Sequence, residues 1–168
     1  METAAAISEP LGLPVHAEPL ICEYGRLYDD PGLSAAEMRE RFPSVRLDSS
    51  FPSTGGWAAD SDDESKEDLV ERASGTLEKL YRMRSSGERS VALVTHAHFS
   101  GYLVGMTLEI PLARLSANRM RLFNSGVTCI EFFSDYRIVW YANATAHLGE
   151  VVTSESSLMW ATAGNASA

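Results

Sequence analysis

The chain has 168 residues, a length typical of one domain with a sizeable hydrophobic core. It carries 14 basic and 23 acidic residues, a formal net charge of −9, which argues against a nucleic acid or an anionic membrane as partner because both require a basic face. The two cysteines, Cys22 and Cys129, imply no disulfide framework and favour a reducing, cytoplasmic compartment. No apolar run approaches the roughly 18 residues of a membrane span, and the N-terminus does not resemble a signal peptide.

The first third of the chain predicts two short helices around an irregular extended segment. Residues 2–9 favour a helix that ends at Pro10. Residues 15–22 are extended but contain a proline, which is compatible only with an edge or irregular strand. Ser34 and Glu37 form the capping-box pattern at the start of a helix that ends near Phe42. Residues 44–63 are rich in Ser, Asp, Gly and Pro around Trp57 and predict a long surface loop.

The remainder predicts an α/β domain with an antiparallel hairpin near one end. A long helix over about 64–84 carries an apolar stripe at helical spacing, formed by Leu69, Val70, Ala73, Leu77, Leu80 and Tyr81. A buried strand over 91–95 and a helix over about 98–108 follow. Residues 127–133 and 136–142 predict the hairpin, and the Ser/Thr/Ala/Gly-rich tail from about 151 predicts poor order.

His96 is the strongest candidate for a functional residue. It follows the apolar run Val91–Val94, and the residue that joins a buried strand to a helix lies at the edge of an α/β sheet where ligands bind. An imidazole there can act as acid, base, nucleophile or metal ligand. The alternative is a histidine with a purely structural hydrogen bond.

His96 and His98 also have the spacing of a pair of metal ligands if the strand continues through both. The string Thr95-His96-Ala97-His98 resembles the opening of the metallo-β-lactamase-type hydrolase motif. However, Phe99, Ser100 and Gly101 replace the Asp and His that continue this motif. His147 is the one distant histidine that could complete such a site.

Two carboxylates are further candidates. Glu23 follows an extended segment and precedes Gly25 and a turn, which suits a positioned general acid as well as a solvated side chain. Glu64 begins a helix, where the helix dipole favours a carboxylate, so capping is its expected role.

In chain order, these segments resemble the histidine phosphatase (phosphoglycerate mutase-like) superfamily over about residues 2–150. Leu20 with Glu23 resembles the segment that carries the family's proton donor, and Val94-Thr95-His96-Ala97 resembles the motif of its second catalytic histidine. The other segments that follow the family's order are Glu2-Thr3-Ala4 with Ile7, Leu11–Pro14, Gly32–Ser34 with Glu37, Phe42-Pro43, Trp57, Glu64-Ser65, Arg72, Asn124–Thr128 and Asn143–Leu148.

The resemblance implies a three-layer α/β/α sheet and phosphomonoester hydrolysis through a phosphohistidine, without a metal or nucleotide cofactor. It implies that His96 stabilises the transferred phosphoryl group, that Ala97 contacts the substrate and that Glu23 protonates the leaving oxygen. A small phosphorylated molecule or a phosphopeptide would be the substrate. The family's nucleophile lies in an Arg-His-Gly triplet at the end of its first strand, and this sequence contains no such triplet.

We therefore expect a partial domain over 1–150, matching the C-terminal two-thirds of the family and lacking its first one or two strands, and a low-complexity tail over 151–168. The chain is expected to be a truncated phosphatase, inactive as written and marginally folded, because missing strands expose sheet edges. Two alternatives are a non-catalytic remnant that acts as a binding protein and a metal-dependent hydrolase that uses His96, His98 and His147. The sequence does not predict the oligomeric state.

Overall fold

The computed structural model describes residues 1–24, 32–48, 51, 53, 64–87, 90–117, 120 and 122–149. The chain has an α/β fold, as the sequence predicts, and divides into two compact units, Met1–Leu103 and Val104–Ala168. The predicted loop around Trp57, Gly25 and the tail from residue 151 lie outside the described residues. No helix in the described part of the chain is long and apolar enough to cross a membrane.

The first unit opens with helix α1 (Glu2–Leu11) and a small βαβ arrangement. Strand β1 (Val15–Ala17) and strand β2 (Val45–Leu47) pair in parallel, and helix α2 (Ala35–Arg41) lies between them in sequence. A 3₁₀ turn (Pro19–Ile21) follows β1, so the extended segment is shorter than predicted. Strand β2 lies within residues 44–63, where the turn-rich composition predicts only a loop.

Local capping chemistry explains how these helices begin and end. In α2, the Ser34 hydroxyl accepts a hydrogen bond from the Glu37 N–H, and the Glu37 carboxylate accepts one from the Ser34 N–H, which confirms the predicted capping box. Helix α1 continues through Pro10 to Leu11 and is capped by Gly12, whose φ of 63° suits glycine. The predicted end at Pro10 was wrong by two residues, since a proline in the last turn removes only one helical hydrogen bond.

The apolar core of this region lies between α2 and the two strands. Ala17, Met38 and Val45 are buried there. Five partly buried side chains pack against them: Val15, Leu33, Phe42, Leu47 and Phe51. Burial of this face stabilises the pairing of two strands that would be marginal alone.

The long helix α3 (Lys66–Ser85) confirms the predicted amphipathic helix. Leu69, Ala73 and Thr76 are its buried residues, one turn apart along the face that the apolar stripe predicts. The 3₁₀ turn at Pro19–Ile21 packs against this helix. Helix α3 thus supports the segment that leads to Glu23.

The predicted buried strand over 91–95 is not present. Residues 90–96 belong to no helix or strand, and Val91 and Leu93 are 42% and 36% exposed. A parallel strand requires hydrogen-bonded neighbours, and in the described part of the chain both sheets are complete two-stranded pairs that leave this segment unpaired. Helix α4 (Ala97–Thr107) follows at once and confirms the predicted helix within one residue.

The second unit contains helix α5 (Leu112–Ala117) and the predicted hairpin. Strand β3 (Val127–Phe132) pairs antiparallel with strand β4 (Arg137–Ala144), with register shifts near Cys129. Within this unit, Gly105 lies close to Leu115, and a Cβ at position 105 would fall 2.0 Å from a Leu115 methyl carbon. His147 lies exposed in a 3₁₀ turn (Ala146–Leu148).

Candidate functional site

The Glu23 carboxylate lies at the N-terminus of α4. Its Oε1 accepts hydrogen bonds from the Tyr24 N–H at 2.8 Å and the Phe99 N–H at 3.1 Å. Its Oε2 accepts a longer one from the His98 N–H at 3.3 Å and lies 3.9 Å from the His98 Nδ1. The side chain of Glu23 is only 12% exposed. Glu23 is thereby brought together with His98 and Phe99, which lie 75 and 76 positions further along the chain.

The local sequence explains why α4 recruits a distant carboxylate. The first N–H groups of any helix lack intrahelical partners, and a Ser, Thr, Asp or Asn at the cap normally satisfies one of them. Here His96 precedes the helix, and its carbonyl accepts the Ser100 N–H at 2.9 Å. Glu23 supplies the missing acceptor at this end of the helix.

His96 is exposed and directly precedes α4, and Ala97 is exposed in the first turn. The preceding residue, Thr95, donates a hydrogen bond from its hydroxyl to the Ile21 carbonyl. This bond joins the residue before His96 to the segment before Glu23. The structure therefore brings the backbone around His96 and the Glu23 carboxylate into one site, while His96 makes no side-chain hydrogen bond to Glu23.

Arg72 of α3 holds the backbone of the Glu23 segment. Its Nη1 donates to the carbonyls of Leu20 and Cys22, both at 2.8 Å, and its Nη2 donates a longer bond to the Glu23 carbonyl at 3.4 Å. The guanidinium carbon also lies 4.8 Å from the centre of the Phe99 ring, in cation–π geometry.

Glu64 completes this cluster in a role different from the predicted one. The capping role belongs to Ser65, whose hydroxyl accepts the Asp68 N–H at 3.1 Å while the Asp68 carboxylate accepts the Ser65 N–H at 3.0 Å. Glu64 instead accepts two hydrogen bonds from Arg72, at 2.7 and 2.9 Å, with both side chains about five-sixths buried. Because Glu64 lies one residue before the cap, its carboxylate can reach Arg72 in the following turns of α3.

Cys22 lies beside Glu23 in the same segment and is unpaired, as is Cys129. Burial raises the pKa of the Cys22 thiol, and the Arg72 guanidinium opposes this rise only in part. The thiol is therefore held in its neutral form, which is unreactive as a nucleophile.

The predicted metal site finds no counterpart in the described residues. No group of three or more His, Cys, Asp or Glu side chains that could hold a metal ion occurs among them. His98 instead lies beside Glu23, and its ring is 6.4 Å from that of Tyr24.

The contacts of Arg72 with carbonyl groups were not predictable from the sequence, because carbonyl acceptors leave no signature in residue type. The available signal for this contact was the presence of an arginine, Arg72, within the amphipathic helix α3 and close in sequence to Glu64. The arrangement as a whole places the exposed His96 directly before α4, whose first turn binds the largely buried Glu23 carboxylate. A histidine can act as an acid, a base or a nucleophile, and a carboxyl group can act as a general acid.

The chain is similar to known proteins at the level of a family. A model of the histidine phosphatase superfamily (branch 1) matches residues 1–145. No curated protein and no solved structure shows a significant match. The family match covers most of the 168 residues and includes every residue of the site described above. The chain belongs to the histidine phosphatase superfamily.

Proposed function

We propose that this chain carries the second-histidine and proton-donor half of a phosphatase-type active site that hydrolyses phosphomonoesters. The observation that supports the proposal best is the location of the Glu23 carboxylate on the first turn of α4, one turn from His96. The chain belongs to the histidine phosphatase superfamily, and its motif resemblance to that family implies that Glu23 acts as the acid and His96 as the electrostatic stabiliser.

Each residue has a definite role in the proposed reaction. The His96 imidazole and the Ala97 N–H bind the equatorial oxygens of the phosphoryl group as negative charge develops on them. The nucleophilic histidine of an intact domain forms a bond to phosphorus as the phosphorus–oxygen bond breaks, and Glu23 donates a proton to the leaving oxygen. A water molecule that gives a proton back to Glu23 then attacks phosphorus, breaks the phosphorus–nitrogen bond and releases phosphate. Oε2, which among the described residues accepts the single 3.3 Å bond from the His98 N–H, is the oxygen we expect to carry that proton.

The nucleophile is the part that this sequence does not contain, since it has no Arg-His-Gly triplet. We therefore propose that the chain is inactive by itself and corresponds to the part of a longer phosphatase domain that follows the first strands. The reaction needs no metal or nucleotide cofactor, and its substrate is a small phosphorylated molecule or a phosphopeptide. The two free cysteines support a cytoplasmic location.

A turnover assay with p-nitrophenyl phosphate tests the proposal. The chain as written should release no p-nitrophenol. A longer product of the same reading frame that includes an Arg-His-Gly segment should be active and should lose this activity in His96→Ala. His16→Ala, which changes an exposed histidine of β1, is the matched control and should stay active. An inactive longer product with an intact Arg-His-Gly segment, or turnover by the present chain that His96→Ala abolishes, would contradict the proposal.

A further inference from the structure

We infer that Arg72 is a positioning residue that sets the location of the Glu23 carboxylate at α4. The inference rests on the proposed function, because it gives Arg72 a part in placing the proton donor. Its basis is the set of hydrogen bonds by which one guanidinium holds the backbone just before Glu23 and at Glu23 itself.

All five N–H groups of the guanidinium have acceptors. Nε and one N–H of Nη2 bind the two oxygens of Glu64, and both N–H groups of Nη1 bind the carbonyls of Leu20 and Cys22. The remaining N–H of Nη2 points to the Glu23 carbonyl. Because the guanidinium is planar, its donors fix the direction as well as the distance of the bound carbonyl groups, which a single ammonium group cannot do.

Glu64 fixes the guanidinium in turn. Its bidentate contact uses Nε and Nη2 of Arg72, and both partners belong to or adjoin α3. The arginine side chain therefore loses little further freedom when it binds the Glu23 segment. Residues 20–23, which lie in a short 3₁₀ turn and an irregular continuation, are attached in this way to the longest helix of the chain.

The same guanidinium also contacts the other side of the site. Its carbon lies over the Phe99 ring, and the Phe99 N–H is one of the donors to Glu23. Phe99 is fully buried, so its ring gives the guanidinium a fixed surface to pack against. One side chain thus holds both the residue that provides the carboxylate and a residue that binds it.

A purely structural role for Arg72 makes a different prediction. If Arg72 only stabilised the unit, any folded variant would retain Glu23 on α4. If Arg72 positions Glu23, a folded variant would lose this contact. The amide chemical shifts of His98 and Phe99 report the contact directly, since both N–H groups donate to the carboxylate.

The experiment is a double-mutant cycle followed by ¹H–¹⁵N NMR of the full chain. Glu23→Gln should shift both amide signals in the wild-type background. In the Arg72→Lys background, which keeps the positive charge and the alkyl stem, we expect less than half of that shift. Arg72→Met, which removes every donor, should abolish it. Arg82→Met is the matched control background, because Arg82 lies exposed on the same helix and, in the part of the chain that the structure describes, its side chain pairs with Glu78 of α3 at 3.6 Å.

A full Glu23→Gln shift in a folded Arg72→Lys or Arg72→Met protein would overturn the inference, as would an equal loss in the Arg82→Met background. Arg72→Lys decides the question if Arg72→Met does not fold. The readout requires no turnover, so a failure of the proposed phosphatase function would leave this result unchanged. Conversely, an active longer product could coexist with an Arg72 that does not position Glu23.

Discussion

Phe99 should contribute more to the stability of the first unit than any exposed apolar residue. Its side chain is fully buried, and its ring lies 4.8 Å below the guanidinium carbon of Arg72, whose side chain is only 14% exposed. Truncation to alanine removes a buried aromatic side chain, and Phe99→Ala should therefore cost about 3–5 kcal/mol. Phe99→Leu keeps most of the apolar volume but loses the ring, and should cost about 1–2 kcal/mol, the strength of a largely desolvated cation–π contact.

Domains of this kind are typically stable by about 5–15 kcal/mol, so Phe99→Ala removes a large share of the total. Because the chain has two units, the assay must report on the first unit alone, and hydrogen exchange of the Leu69 and Thr76 amides in α3 meets this need. Leu11→Ala is the control, since Leu11 is 62% exposed, and it should change the free energy of opening by less than about 0.5 kcal/mol. Unchanged exchange in Phe99→Leu, or an equal effect of Leu11→Ala, would refute the reasoning.

Two further predictions concern helix starts and packing. Hydrogen bonds from Ser65 lower the pKa of Asp68 below its ordinary value of 3.8. The stabilisation of α3 by Asp68 is therefore complete above pH 3.8 and is lost as the pH falls through the folded-state pKa. Asp68→Asn should flatten this pH dependence of helicity in circular dichroism, and an unchanged acid transition would contradict the prediction. Gly105→Ala places a Cβ 2.0 Å from a Leu115 methyl carbon and should lower the free energy of unfolding in urea by about 1–3 kcal/mol. In a Leu115→Ala background, the same Gly105→Ala change should cost less. Equal stability of Gly105→Ala and wild type would disprove the clash.

Local patterns predicted the helices well. The Ser34 and Glu37 capping box, the apolar stripe of α3 and the helix after His96 were confirmed because each depends on residues within one or two turns. The hairpin of β3 and β4 was also predictable, since its strands are adjacent in sequence. The parallel pairing of β1 with β2 was not, because its register is set by α2 and by packing over some thirty residues.

The strand predicted at 91–95 shows where sequence reasoning fails. The composition of Val91–Val94 describes a segment that could be buried, but burial also requires neighbouring strands, and in the described residues none pairs with it. His96 still directly precedes a helix, because α4 begins at the next residue, and its functional role stays a prediction. The role of Arg72 could not be deduced in detail, since its acceptors are backbone carbonyls.

The central claim is that Glu23 gives a proton to the leaving oxygen at a site shared with His96. The most direct measurement compares two substrates of different leaving-group acidity in a product of the reading frame that includes an Arg-His-Gly segment. Loss of a general acid should slow hydrolysis of an alkyl phosphate by about 10²–10⁴-fold, because an alkoxide cannot leave without a proton. p-Nitrophenyl phosphate, whose leaving group is stable as an anion, should be slowed far less by Glu23→Gln. Equal losses on both substrates would contradict the assignment of Glu23 as the proton donor.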